Sequence, residues 1–378
     1  MVRYTIPLTR PWIDQAVKKR VEAVLDSGYL TEGPVTRAFE EAIRSYLGAE
    51  RVIAVSSATV GLEVALRALQ VGPGDEVIVP DFTYPASAHA VSLAGATPVL
   101  VDVHPRRMTL DLDLAEQAIT SRTRAIMPVS AFGNPIDYDH LNRLKQRYGL
   151  LILEDAAPAL GARFKDVPVG VLADISVFSL HPRKFVTTGE GGLIVTADHD
   201  RADWMTSYKH FGMVVPGGSS EPVFERLGTN CKISDILAAV GLAQMENVDE
   251  LLARRVELSE IYDGLLAAVE GVMPCEVTAN GFHSRQSYVV FVEHRDDVMM
   301  RLRSRGIEVQ IGTYALHRQP AFKGRAGVRS HGGLAGSDWA FEHSLALPLY
   351  HDLAYSEQTT VVRELESAVR ACAASPAR

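Results

Sequence analysis

The chain has 378 residues, 47% of them hydrophobic and 22% charged, and carries a formal net charge of −8. That balance, with no block of basic residues, excludes nucleic acid and anionic membrane as the main partner, and no apolar run reaches the ~18 residues of a membrane span. Cys231, Cys275 and Cys372 fit neither a zinc site nor a disulfide framework, no metal site is expected, and the start, MVRYTIPLTRPW, lacks the apolar core of an export signal, so a cytoplasmic protein is expected.

Ile13, Val17, Val21, Val24 and Leu25 share one helical face, and Phe39, Ile43 and Leu47 share another after a break at Gly33-Pro34. The intervening YLTEGP has turn chemistry and reads as a loop near a site. From residue 51 short apolar strands alternate with helices. RVIAVSS, DEVIVP, TPVLVDV, RAIMPVSA, LLILEDA, ISVFSL and GGLIVTAD read as strands. TVGLEVALRALQ, PASAHAVSLAG, the stretch around DLAEQAI, and DYDHLNRLKQRYG read as helices between them. Continuous apolar strands joined by helices predict an α/β fold with a mainly parallel sheet covered on both faces. After about residue 230 the alternation stops. A long helical pattern runs from Ser234, a plausible N-cap, to GLLAAV, with room for one break. SYVVFVEH, RDDVMMRLRSRG, IEVQI and a C-terminal helix then suggest a smaller α+β unit. The expected partition is 1–245 for the large domain and 246–378 for the small one.

Several residues fall where strands end, the edge at which parallel α/β sheets collect ligands. Asp155 closes LLILEDA and can meet a cationic ligand group or start a turn. SSATVGL joins a strand to a helix, so its backbone N–H groups can hold a phosphate, or its hydroxyls can merely cap the helix. Tyr84 follows DEVIVP and offers a ring for stacking or for the core. Ser179 closes ISVFSL. Lys184, in SLHPRKFVTTGEGG, is a surface lysine or, if partly removed from water, an amine able to condense with an aldehyde. His181 and Arg183 fit loop packing or substrate contact. Together a phosphate turn, a ring, a carboxylate and an amine form the set that pyridoxal phosphate requires. A dinucleotide-binding reading fails because SSATVG stands where G-x-G-x-x-G would be needed.

With those residues in view, the chain resembles the DegT/StrS-type sugar aminotransferases, which use pyridoxal phosphate (PLP) and have the aspartate aminotransferase fold. The matching segments run in order through SGYLTEGP, AVSSATVGLEVAL, GPGDEVIVPDFTYPASAHAV, EDAAPALGA, FSLHPRKFVTTGEGG, LGTNCKISDILAAVGLAQ, IGTYALHRQPAF and LALPLY. The resemblance implies that Lys184 bonds the cofactor aldehyde and Asp155 keeps the pyridine nitrogen protonated. It implies that Tyr84 stacks on the ring, and that Ala58, Thr59 and Ser179 hold the phosphate. Asn230 would reach the partner's phosphate across a homodimer interface, and Thr31, Tyr314 and His317 would lie near substrate. Three positions depart from the family pattern. Ala58 replaces a frequent Gly, Lys232 replaces a frequent Arg, and Pro158 stands where many members carry Gln or His.

The reaction implied is transfer of an amino group from an amino acid, L-glutamate, to a keto-sugar, with a nucleotide-linked 4-keto-6-deoxy sugar first. A 3-keto-sugar or cyclitol acceptor is the alternative. Relatives that act as sugar dehydratases carry His at the lysine position, so Lys184 favours amino transfer. A non-catalytic regulatory homologue is disfavoured by the intact Lys–Asp pair and phosphate turn.

Overall fold

The computed structural model describes residues 4–217 and 221–374. The main sheet has eight strands. Their spatial order is Arg51–Val55, Gly192–Thr196, Ile175–Ser179, Leu151–Asp155, Thr123–Ile126, Glu76–Pro80, Thr97–Val101 and Arg329–Ser330. Neighbours from Ile175–Ser179 onward pair in parallel, while Gly192–Thr196 runs antiparallel to both strands beside it. The expectation of a mainly parallel sheet therefore holds, with this one return strand added.

Side chains alternate across a strand, and the core divides accordingly. Ala54, Ile78 and Phe178 pack on one face with the helices Pro34–Leu47 and Tyr138–Tyr148. Ile53, Val55, Val77, Val79 and Val177 pack on the other with the helix Ala58–Ala68. Each fully buried aliphatic side chain contributes roughly 1.5–3 kcal/mol, so strands sealed on both faces make a rigid floor for whatever sits at their ends.

The first helix spans Gln15–Ser27 and buries Val17 and Val24. Ile13 lies before it and, like Leu25, is exposed. The second helix lacks its own side-chain cap, and Asp235 supplies one from a distance. The Asp235 carboxylate accepts the N–H groups of Gly33, Val35 and Thr36 at 2.8–3.1 Å and so pins the YLTEGP turn. The long pattern after Ser234 is broken once, into Asp235–Met245 and Val248–Leu266, and Ser234 accepts the Leu237 N–H as its cap.

A second, antiparallel sheet has the order Val272–Pro274, Tyr288–Val292, Ser344–Leu347 and Gln310–Ile311. Its core draws on Leu258, Tyr262, Val298, Val361 and Leu365. Ile6 also joins this core, bonded through its N–H to the Gly306 carbonyl. Two later segments pair with strands from the first part of the chain. Tyr314–Ala315 pairs with Phe82–Thr83, and Arg329–Ser330 extends the sheet beside Thr97–Val101. No helix among the described residues is long and apolar enough to cross a membrane.

Candidate active site

A cleft of about 510 Å³ opens at the carboxyl ends of the central strands. Lys184, Asp155, Ala58, Thr59, Tyr84, Ser179 and Tyr314 all line it. Residues separated by more than 250 positions are thereby brought to one wall through the pairing of Tyr314 with Thr83.

Asp155 ends its strand almost fully buried. One carboxylate oxygen accepts the Ser87 hydroxyl at 2.6 Å, and the other accepts the Ala157 N–H at 3.1 Å. The turn reading is met to that extent, since one oxygen closes a turn with the Ala157 N–H. Burial pushes its pKa up, and the bonds from Ser87 and Ala157 and the nearby Lys184 charge oppose that rise. Such a carboxylate favours a cationic N–H partner in the cleft. Ser87 was not foreseen. It lies in the helix Ala86–Leu93 that follows Tyr84, and its place one turn beyond the aromatic was the available signal.

Lys184 sits in a turn, its N–H donating to the His181 carbonyl at 2.8 Å. Burial brings its amine down to about 8, against the pull of Asp155 and with help from the Arg183 charge. A substantial neutral fraction at physiological pH follows, which is the nucleophilic form. His181 and Arg183 also face the cleft. Arg183 donates to Gln310 Oε1 at 2.8 Å, and burial lowers the His181 pKa.

Ser57 caps the helix Ala58–Ala68 by accepting the Val60 N–H at 3.2 Å. The N–H groups of Ala58 and Thr59 stand first in that helix, where no intrahelical acceptor exists. Gly192 explains part of the Gly-Glu-Gly-Gly run. A Cβ there would lie 2.5 Å from the Ala58 nitrogen, so only glycine lets the return strand pass behind the helix start. Gly189, with φ +87°, makes the turn itself.

Three predicted residues lie outside the cleft lining of a single chain. Thr31 is exposed, its carbonyl accepting the Asp235 N–H. Asn230 is exposed and bridges His210. His317 is locked between two carboxylates, with Nδ1 2.6 Å from Asp81 and Nε2 3.1 Å from Asp338. Pro158 does line the cleft and brings no donor. Lys232 places its ammonium 5.3 Å from the Phe211 ring.

The sequence model of the DegT/DnrJ/EryC1/StrS aminotransferase family matches residues 11–366. The chain belongs to that family. This aminotransferase is similar over almost its whole length to solved relatives. Spr1654 of Streptococcus pneumoniae, assigned as a sugar aminotransferase, is 30% identical in its PMP form. The alignment covers 97% of this chain and 100% of that one, with a TM-score of 0.91. The aminotransferase TlmJ of Streptoalloteichus hindustanus is likewise 30% identical, over 97% and 99% of the two chains, at 0.91. The synthase of 3-amino-5-hydroxybenzoic acid is 28% identical, over 98% and 100%, at 0.90. The protein is a PLP-dependent transaminase with the fold of these enzymes. Its own residues fit the cofactor: a buried carboxylate acceptor, a lowered lysine, and open N–H groups beside a glycine that leaves them room.

Proposed function

We propose that this transaminase moves the amino group of L-glutamate to a nucleotide-linked 4-keto-6-deoxy sugar, forming an amino-sugar. The observation that carries the reading is the meeting of a lowered Lys184 amine and the buried Asp155 carboxylate in one cleft, beside the helix start at Ala58. PLP supplies an aldehyde that takes up the amino group and a ring that stores an electron pair. Lys184 would hold that aldehyde, and its Nζ would carry the proton taken from the donor's Cα. Asp155 holds the proton on the ring nitrogen, with Ser87 fixing the carboxylate. Ala58, Thr59 and Ser179 would hold the phosphate, and Tyr84 would offer its ring to the cofactor's. The Arg183 guanidinium, exposed on the cleft wall, takes the donor's carboxylate.

The same reading makes the enzyme a homodimer in which Asn230 completes the partner's phosphate site. Phe211, Val215, Val223, Phe224 and Leu227 stand exposed around it, and a cluster of exposed large apolar residues marks an association surface. Thr31 would meet substrate from the same surface. The sugar assignment draws on the family and on the description of Spr1654.

Steady-state kinetics with L-glutamate and a panel of 4-keto and 3-keto nucleotide sugars tests the reading, with the product identified by mass spectrometry. Parallel-line, ping-pong patterns with the 4-keto acceptor are expected. Turnover with a keto acid and none with any keto-sugar would overturn the acceptor class.

A further inference from the structure

The helix Val248–Leu266 buries Arg255, 5% exposed, and no carboxylate among the described residues pairs with it. Its guanidinium donates to carbonyls, to Arg285 at 2.9 Å and to Gln286 at 2.6 Å, with Leu349 at 3.5 Å. Burying an unpaired cation is unfavourable, and burial has brought this one down to about 10. The turn it braces is itself strained, since Arg285 has φ +54°.

The braced turn presents Gln286, also almost fully buried. Its Nε2 donates to the Arg183 carbonyl at 2.6 Å, and its Oε1 accepts the Phe185 N–H at 3.3 Å. One planar amide therefore grips the backbone on both sides of Lys184. The Arg255 guanidinium lies 5.8 Å from the Phe185 ring, closing the arrangement from behind. The remaining backbone bonds of this stretch are local ones to His181.

We propose that Gln286, braced by Arg255, is a positioning residue that clamps the Lys184 backbone so that only the side chain moves during turnover. The proposal rests on Lys184 being the amine that bonds the cofactor. Movement confined to the side chain keeps Nζ within reach of both the aldehyde and the donor's Cα. A misplacement of about 1 Å can cost ~10²-fold in rate.

The test compares Gln286→Leu, Gln286→Glu and Arg255→Met with the parent enzyme. Gln286→Glu keeps the acceptor for Phe185 and loses the donor to Arg183. The first readout is the split between kcat and the donor's KM in the holoenzyme. The second needs no cofactor: the pH dependence of Lys184 acetylation in the apo chain, followed by peptide mass spectrometry. Both Gln286 variants should lower kcat ~10–100-fold with KM within about threefold, and should move the Lys184 titration up from about 8. Arg255→Met should lower kcat by less and should lower the melting temperature, because the Arg285 and Gln286 carbonyls lose their donor.

Unchanged kcat and unchanged Lys184 titration in both Gln286 variants would overturn the clamp. So would a fall in kcat matched by equal loss of melting temperature in both. If Gln286→Leu does not fold, Gln286→Glu and Arg255→Met decide. A parent enzyme with no lysine-bound cofactor would instead sink the functional reading, and the apo acetylation result would still judge the clamp.

Discussion

Asp155 and Lys184 are bonded and enclosed by residues of their own chain, whereas Asn230 and Thr31 lie on an outward surface. Ser87 and Ala157 each donate to one oxygen of the carboxylate, and the turn at His181 and the amide of Gln286 hold the lysine backbone. Around Asn230, by contrast, Phe224 is 67% exposed and Leu227 95%. Yet the outer region is not loosely built beneath its surface. Lys209 is buried to 2% exposure with its amine 3.0 Å from Glu32, and His210 lies 2.8 Å from the same carboxylate. This anchors the turn bearing Thr31 to the segment bearing Asn230. A stiff support beneath an apolar surface is what a presenting face needs, while the inner region needs stiffness up to the reacting atoms themselves.

If the inner region is self-sufficient, the largest effects belong there. Lys184→Ala should lower turnover at least ~10³-fold, since on the proposed reading it removes both nucleophile and proton carrier, and should abolish the visible band of the lysine-bound cofactor. A variant that keeps the band and the rate would remove Lys184 from the reaction. A pH effect comes next. Only the neutral amine attacks an aldehyde, and the Lys184 amine is brought down to about 8. The rate at which the apo enzyme develops that band should rise with pH to a plateau above 8, and should fall about tenfold per unit below it. Stopped-flow absorbance checks this, and a plateau near 10.5 would show an ordinary lysine.

Gly192→Ala probes the seam at the helix start. Its Cβ would press on the Ala58 nitrogen at 2.5 Å, so PLP affinity should weaken about tenfold by equilibrium dialysis, in the range of a lost charge-assisted hydrogen bond. The rate at saturating cofactor should change little. The smallest effect tests the comparison most directly. In mixed dimers carrying one Asn230→Ala chain, the cofactor should dissociate a few-fold faster from the unmutated chain, as for one hydrogen bond to phosphate. Faster loss from the mutated chain alone would place Asn230 with its own site.

The strand–helix alternation was legible because each central strand is sealed on both faces and so reads as unbroken apolar sequence. The return strand Gly192–Thr196 is just as apolar, and nothing in its composition distinguishes antiparallel from parallel pairing. Arg329–Ser330 was missed because it pairs at the sheet's edge with polar side chains. At the site, local patterns led to Lys184, Asp155 and the Ala58 turn, each flanked by a strand end. Ser87 acts through one long-range hydrogen bond and Gln286 through two, and such contacts leave no periodicity. His317 was expected near substrate, and its two carboxylate partners come from separate stretches, at Asp81 and Asp338.

The pairing of Ser179 with Gly192 has a further consequence. The lysine-bearing excursion, residues 180–191, leaves and re-enters the sheet on one rung, as the pendant loop of a hairpin does. That rung is itself tied to the Asp155 segment, since Asp155 pairs with Val177 and the Ser179 N–H donates to the Ala157 carbonyl at 3.4 Å, so the root of the excursion and the carboxylate share one frame.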